Sequence, residues 1–210
     1  MIEVLIADDH PVVRRGLKQI LADESDITVV GEASNGQELL EQTRKQHCDV
    51  IVLDITMPGR GGLDALKELR HEHPKLPVLI LSIHPEDQFG LRVLKAGAAG
   101  YMTKESASDE LVKAIRKVVG GGKYLSPSLA EILAFDLDHD TEKPLHETLS
   151  DREYQVICLL ASGKTVSDVS RELSLSTKTI STYRMRILEK MKMKTNAELT
   201  HYAIKNRLVD

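Results

Sequence analysis

The feature that most constrains this chain is the order of its apolar segments. Over the first 120 residues, short strand-like runs alternate strictly with longer segments of helical period. Ile2–Ala7, Ile27–Gly31, Asp49–Asp54, Pro77–Ser82 and Ala99–Met102 are short and nearly all apolar, as buried parallel strands are. The helical pattern that starts at Pro11 suits that residue, because proline is at home in a first helical turn. Asn35 reads as an N-cap, and helices follow over Leu63–Arg70, Glu86–Ala96 and Ala107–Gly121. Five strands and five helices in alternation predict a parallel sheet covered on both faces. Right-handed crossovers make it a doubly wound α/β fold of flavodoxin-like type.

The texture then changes. Ser126–Ala134 predicts one short helix, and Asp136–Glu147, charged and containing Pro144, predicts a flexible linker. No strand pattern follows. Ser150 and Glu153 form a capping box before a helix that contains Val156, Ile157, Leu159 and Leu160 and closes at Gly163. Thr165 with Asp168 caps Val166–Leu173, Ser176 or Thr177 opens Lys178–Met191, and Thr195 with Glu198 caps Ala197–Lys205. The expected organisation is an α/β module over 1–121, a linker over 122–147 and an all-α module of four helices over 148–210.

Charge divides the same way. Of the net −4, residues 1–144 carry −7 and residues 145–210 carry +3, which suits two modules with different partners. No apolar run reaches the roughly 18 residues of a membrane helix, and MIEVLIADDH lacks the basic start of a signal peptide. A cytoplasmic protein without a membrane partner is expected. Cys48 and Cys158 lie in apolar stretches without partners for a disulfide or a metal, so they read as small buried hydrophobes. Aromatics make up 3% with no Trp, which disfavours sugar or base stacking.

In a doubly wound sheet, ligands bind at the C-terminal ends of the strands. Asp8 and Asp9 follow the first strand, Asp54 ends the third, Ser82 ends the fourth and Lys104 follows the fifth. Each alone has a plain explanation: the acids as helix caps, the lysine as a solvated loop residue. Together they place three carboxylates, a hydroxyl and an ammonium in one cleft. Mutually repelling carboxylates attract a hard divalent cation such as Mg²⁺. A carboxylate kept ionised in this way can attack phosphorus, with Lys104 and Ser82 receiving phosphoryl oxygens.

The text IADDHPVVRRGL, VIVLDITMPGRGGLDAL, LILS and AGAAGYMTK resembles the receiver domain of bacterial two-component response regulators over residues 1–121. The resemblance implies phosphorylation of Asp54 by a sensor histidine kinase. It implies Mg²⁺ held by Asp8, Asp9, Asp54 and the backbone carbonyl of Thr56. Ser82 and Lys104 fall on its phosphate-sensing hydroxyl and lysine, and Tyr101 on an aromatic switch that turns inward on activation. A related aspartyl-phosphate phosphatase would need an acid two residues after the nucleophile; Thr56 stands there, so no enzyme is expected.

In the last module, a helix, a tight turn at Ser174-Leu175-Ser176 and a second helix have helix-turn-helix spacing. With Ile180 at the centre of the buried face, Lys178, Ser181, Thr182, Met185 and Arg186 point outward and Arg184 lies on the flank. That face suits a major groove, and equally the solvated side of a core helix. TLSDREYQVICLLASGKTVSDVSRELSLSTKTISTYRMRILEKMKMKTNAEL then resembles the LuxR-type domain of the NarL/FixJ class over 148–208. Its third helix reads DNA and its fourth forms a dimer contact. DNA contacts are therefore expected from Lys178, Thr179, Ser181, Thr182, Arg184, Met185 and Arg186. Val166, Ser170 and Tyr183 stand where Asn, Ala and His are usual; these departures bear on base preference rather than fold.

The expected function is a response regulator in which phosphorylation controls homodimerisation and binding to promoter DNA. RNA polymerase is a further candidate partner. The alternative is a DNA-binding transcription factor whose receiver works without phosphate.

Overall fold

The structure, a computed structural model, describes residues 1–138, 144–206 and 208–209. The chain forms two compact units, Met1–Ala134 and Phe135–Asp210.

In the first unit the elements run β1 (Ile2–Ala7), α1 (Pro11–Ala22), β2 (Ile27–Ala33), α2 (Gly36–Lys45), β3 (Val50–Asp54), α3 (Gly62–Glu72), β4 (Val78–Ser82), α4 (Glu86–Lys95), β5 (Gly100–Thr103) and α5 (Ala107–Val119). The sheet is parallel, in the order β2-β1-β3-β4-β5, so the strand order reverses beside β1. Pairing of β1 with β2 skips Val30, a local irregularity that carries β2 on to Ala33. Alternate strand residues face opposite layers. Val4, Ile6, Val52, Leu79 and Leu81 pack with Leu17, Leu21, Leu111 and Ile115 of α1 and α5. Leu5, Ile51, Leu53 and Ile80 are equally buried, as are Leu39, Leu66, Phe89 and Val93 of α2, α3 and α4. Each such side chain contributes about 2 kcal/mol.

The boundary expected at 121 moves. After α5 the backbone of Tyr124 forms a bridge beside Gly100: its N–H donates to the Ala99 carbonyl at 3.0 Å, and its carbonyl accepts from Tyr101 N–H at 3.3 Å. α6 (Pro127–Asp138) begins there, and fully buried Leu129 lies where any side chain at position 90 would stand, a space that Gly90 leaves open. Residues 124–129 therefore belong to the first unit rather than to a linker. Of the expected linker Asp136–Glu147, residues 139–143 lie outside the described residues.

The second unit holds a short 3₁₀ turn, Leu145–Thr148, and four helices: α7 (Asp151–Ala161), α8 (Val166–Glu172), α9 (Thr177–Lys190) and α10 (Asn196–Lys205). The caps fall where the sequence places them. Ser150 and Glu153 form the reciprocal capping box of α7, Thr165 and Asp168 that of α8, and Ser176 and Thr195 accept from the first turns of α9 and α10. Glu153 also accepts from Lys190 Nζ at 2.6 Å, which ties α7 to the end of α9. Among the described residues no helix is long and apolar enough to cross a membrane.

Candidate functional site

The C-terminal ends of β1, β3, β4 and β5 bring seven sequence-predicted residues together. β3 and β4 are apolar until their last residues, Asp54 and Ser82, and Asp8 and Lys104 directly follow β1 and β5, so these polar side chains emerge where pairing ends. Asp54, the last residue of β3, is 2% exposed, and Asp8 is 1% exposed. The Asp54 carboxylate is held on both oxygens: Thr56 N–H donates to Oδ1 at 2.9 Å and Lys104 Nζ to Oδ2 at 2.7 Å. Gly62 makes this close turn feasible, because a side chain there would fall on the Asp54 carbonyl and the Ile55 Cα. Lys104 Nζ also lies 2.7 Å from Asp8 Oδ2, a close ion pair without hydrogen-bond alignment.

Burial pushes the Asp54 carboxyl up to about 6, with Asp8 adding to the rise and Lys104 opposing it. Burial pulls the Lys104 ammonium down, but Asp54 and Asp8 outweigh it and hold its pKa above the usual range.

Asp9 is half-buried beside Asp8, and His10 joins the cluster. Its N–H donates to Asp8 Oδ1 at 2.8 Å, and its Nδ1 lies 2.8 Å from Asp9 Oδ1. Ligand atoms of Asp8, Asp9, His10 and Asp54 all lie within 4.8 Å of one another. Asp8 Oδ2 and Asp9 Oδ1 are buried without an aligned hydrogen-bond donor among the described residues. Carboxylate oxygens at this density, two of them buried without an aligned hydrogen bond, suit a hard cation with oxygen ligands. The only sequence signal for His10 is its place directly after Asp8-Asp9.

Ser82 is fully buried, and its Oγ accepts from His84 N–H at 3.1 Å. Tyr101 is also fully buried and donates from its hydroxyl to the His84 carbonyl at 2.8 Å, so it stands in the inward pose. Burial raises its phenol well above the ordinary range. The His84 ring links the site to the next helix: Nε2 lies 3.3 Å from Thr56 Oγ1, and the ring stacks on Phe89 of α4 at 4.7 Å.

The second unit presents the other predicted set on α9. Ile180 and Ile187 are fully buried, which turns the remaining residues outward as the period requires. Lys178, Ser181, Met185 and Arg186 are exposed, while Thr179 and Thr182 are half-buried. The side chains of Lys178 and Arg186 form no ion pair among the described residues. Thr179 turns back to the cap, with Oγ1 2.8 Å from Ser176 Oγ, and Arg184 Nε donates to Asn196 Oδ1 of α10 at 2.6 Å. These two are thus partly engaged inside the unit. Ser170, one of the departures from the usual text, holds the helix-turn-helix corner by donating to the Leu175 carbonyl at 2.6 Å. Ser174 takes φ 51° in that corner.

Two family descriptions match the chain: "Response regulator receiver domain" over residues 4–116 and "Bacterial regulatory proteins, luxR family" over residues 147–203. Response regulator GacA of Pseudomonas protegens is 40% identical over 210 residues, covering 100% of this chain and 99% of its own. Response regulator UvrY of Escherichia coli K12 is 39% identical over 210 residues, covering 99% of this chain and 96% of its own. RcsB from Salmonella enterica serovar Typhimurium, solved bound to promoter rprA in the presence of phosphomimetic BeF3−, is 26% identical with a TM-score of 0.63, covering 96% of this chain and 98% of that one. Family descriptions over both units and relatives matched along their whole length leave one assignment: this chain belongs to the NarL/FixJ family of two-component response regulators, DNA-binding transcription regulators that join a receiver domain to a LuxR-type helix-turn-helix domain.

Proposed function

We propose that Asp54 accepts a phosphoryl group from a sensor histidine kinase, and that this controls dimerisation and promoter binding by the second unit. The observation that carries the reading is Asp54 itself: a buried carboxylate between the Asp8–Asp9 pair and the Lys104 ammonium. Asp8, Asp9, Asp54 and the Thr56 carbonyl would hold Mg²⁺. When bound, that ion supplies charge neutralisation for the carboxylates and the transferred phosphoryl oxygens.

An Asp54 oxygen forms the new O–P bond as the donor's P–N bond breaks, and the donor imidazole leaves with the bonding pair. Lys104 shifts from the carboxylate to a phosphoryl oxygen without losing its charge. Ser82 offers its hydroxyl proton to another, while its Oγ lone pair can go on accepting from the His84 N–H. Tyr101 and His84 carry the change towards α4, because the Tyr101 hydroxyl rests on the His84 carbonyl and the His84 ring rests on Phe89. No acid stands two residues after Asp54 to protonate a leaving group, in keeping with a switch rather than a phosphatase.

In the second unit, α9 enters the major groove of duplex DNA. Lys178 and Arg186 contact phosphates, Thr179 and Arg184 flank them, and Ser181, Thr182 and Met185 face base edges. A homodimer places two copies on two half-sites. Ile204, 52% exposed on α10, supports that helix as the dimer contact. RcsB bound to a promoter with a phosphomimetic supports both halves of the reading. RNA polymerase is the partner such a complex would meet at a promoter, in the cytoplasm.

The test is intact-mass spectrometry after incubation with acetyl phosphate, with and without Mg²⁺, on wild type and Asp54→Asn. One phosphoryl group that needs Mg²⁺, yields to hydroxylamine and is absent in the variant is expected. A phosphorylated variant would refute Asp54 as the acceptor. A wild type that stays unmodified with donor and with a phosphorylated kinase domain would favour a receiver that works without phosphate.

A further inference from the structure

The exposed stripe of α9 has an unusual chemistry for a DNA-reading face. Its centre offers no hydrogen-bond donor. Ser181 Oγ donates to the Thr177 carbonyl at 2.8 Å, and Thr182 Oγ1 donates to the Lys178 carbonyl at 3.0 Å. A hydroxyl carries one proton, so each has only lone pairs left to present outward. Between them and the next turn stands Met185, 63% exposed, one of the few large apolar side chains that the described residues leave in solvent. Thr182 and Met185 are three residues apart and so adjoin on the helix surface.

Each base pair shows a different set of groups in the major groove. Guanine presents two acceptors and calls for a donor, whereas an A·T pair presents the adenine amino group and the thymine C5 methyl. Acceptor oxygens suit the amino group of adenine or of cytosine, but the thioether and the Thr182 methyl match the C5 methyl that thymine alone presents. The two cations of the stripe, Lys178 and Arg186, lie at its ends, where the phosphates run.

We propose that Met185, seated beside Thr182, is a specificity-determining residue that reads the thymine C5 methyl in the major groove. This rests on the assignment of α9 as the DNA-reading helix. Met185 is polarisable, unbranched and unconstrained by packing, so it can lie flat against a methyl that projects into the groove. Its exposure also means that the folded unit does not depend on it.

The test starts by selecting DNA from a random pool with the full-length chain in Mg²⁺ and acetyl phosphate. Each thymine of the selected site is then replaced by deoxyuracil, which removes the methyl and keeps the base pairing. Affinities are compared for wild type, Met185→Ala and Met185→Leu. At one or two adjacent positions in each half-site, loss of the methyl should weaken wild type about three- to fivefold, the effect of one buried methyl. Met185→Ala should show no loss at those positions, and Met185→Leu should retain it. Thymines that are insensitive in wild type, or equally sensitive in Met185→Ala, would overturn the assignment to Met185 and leave α9 as the reading helix. A pool that yields no sequence above background would remove the DNA-reading assignment of α9, and this proposal with it.

Discussion

Replacing Asp54 by asparagine should change how the stability of the first unit depends on pH. Burial lifts this carboxyl from an ordinary 3.8 to about 6. Without a cation, the folded chain therefore keeps the Asp54 proton until about pH 6, while the unfolded chain loses it near 3.8. Between those values the native state binds more protons than the unfolded state. Stability must then fall as pH rises through this window and level off above it. Each pH unit between the two values is worth about 1.4 kcal/mol, and by pH 7 the full penalty approaches about 3 kcal/mol. Some of it is already present at pH 4, so about 2 kcal/mol develops between pH 4 and pH 7. Asparagine has no proton to lose and should not show this drop. Its altered hydrogen bonds to Thr56 and Lys104 add an offset, which is constant over any pH range in which the neighbouring charges do not themselves titrate. The measurement is urea unfolding in EDTA at a series of pH values, followed by hydrogen-exchange mass spectrometry of peptides from β1 and β3. These peptides report the first unit alone. Wild type should lose about 2 kcal/mol relative to Asp54→Asn over that range; parallel profiles would show that burial does not penalise the Asp54 charge.

Three further substitutions test other parts of the reading. Lys178→Ala should weaken DNA binding on cognate and scrambled sequences alike and reduce the salt slope by about one, as loss of a phosphate contact does; an unchanged slope in a salt titration would place Lys178 away from the backbone. Gly62→Ala drives a methyl into the backbone of Asp54 and Ile55, so it should cost about 1–3 kcal/mol and slow phosphorylation by acetyl phosphate. Wild-type stability and rate would show that the loop yields freely. Ser150→Ala removes the acceptor for the Glu153 N–H and should cost the second unit about 1 kcal/mol. An unmoved urea midpoint for α7 peptides would refute a contribution from that cap.

The parts that could be read directly from the sequence are those in which one local signal decides the structure. Runs such as IEVLIA and VIVLD are too short and too apolar for surface helices, so their ends, and the acids beyond them, were fixed by period alone. The caps at Asn35, Ser150, Thr165 and Thr195 follow from a side chain satisfying the backbone three residues on. What could not be read depends on distant or non-periodic contacts. Tyr124 joins the sheet through one residue, which leaves no pattern. Glu153 and Lys190 meet across 37 positions; the sequence shows Glu153 as a capping residue and Lys190 as a surface charge, with nothing to pair them. His10 sits in a helix-entry turn where histidine is unremarkable. Strand β2 runs two residues past its expected end: pairing continues to Ala7 of β1, and the residue skipped at Val30 adds one more, a shift with no signature in composition.

The bridge at Tyr124 has a consequence for solubility. A parallel sheet of five strands has two open margins, and a margin with unmet N–H and C=O groups invites another chain to add itself. At β5 that invitation is answered from within: Tyr124 occupies the backbone groups beside Gly100, and Gly100 has no side chain to keep a neighbour away. Cutting the protein after Gly121 would expose that margin together with the hollow over Gly90 that Leu129 fills. Such a fragment would retain every residue of the acidic cleft and still be prone to self-association, whereas one ending at Ala134 would carry its own edge protection.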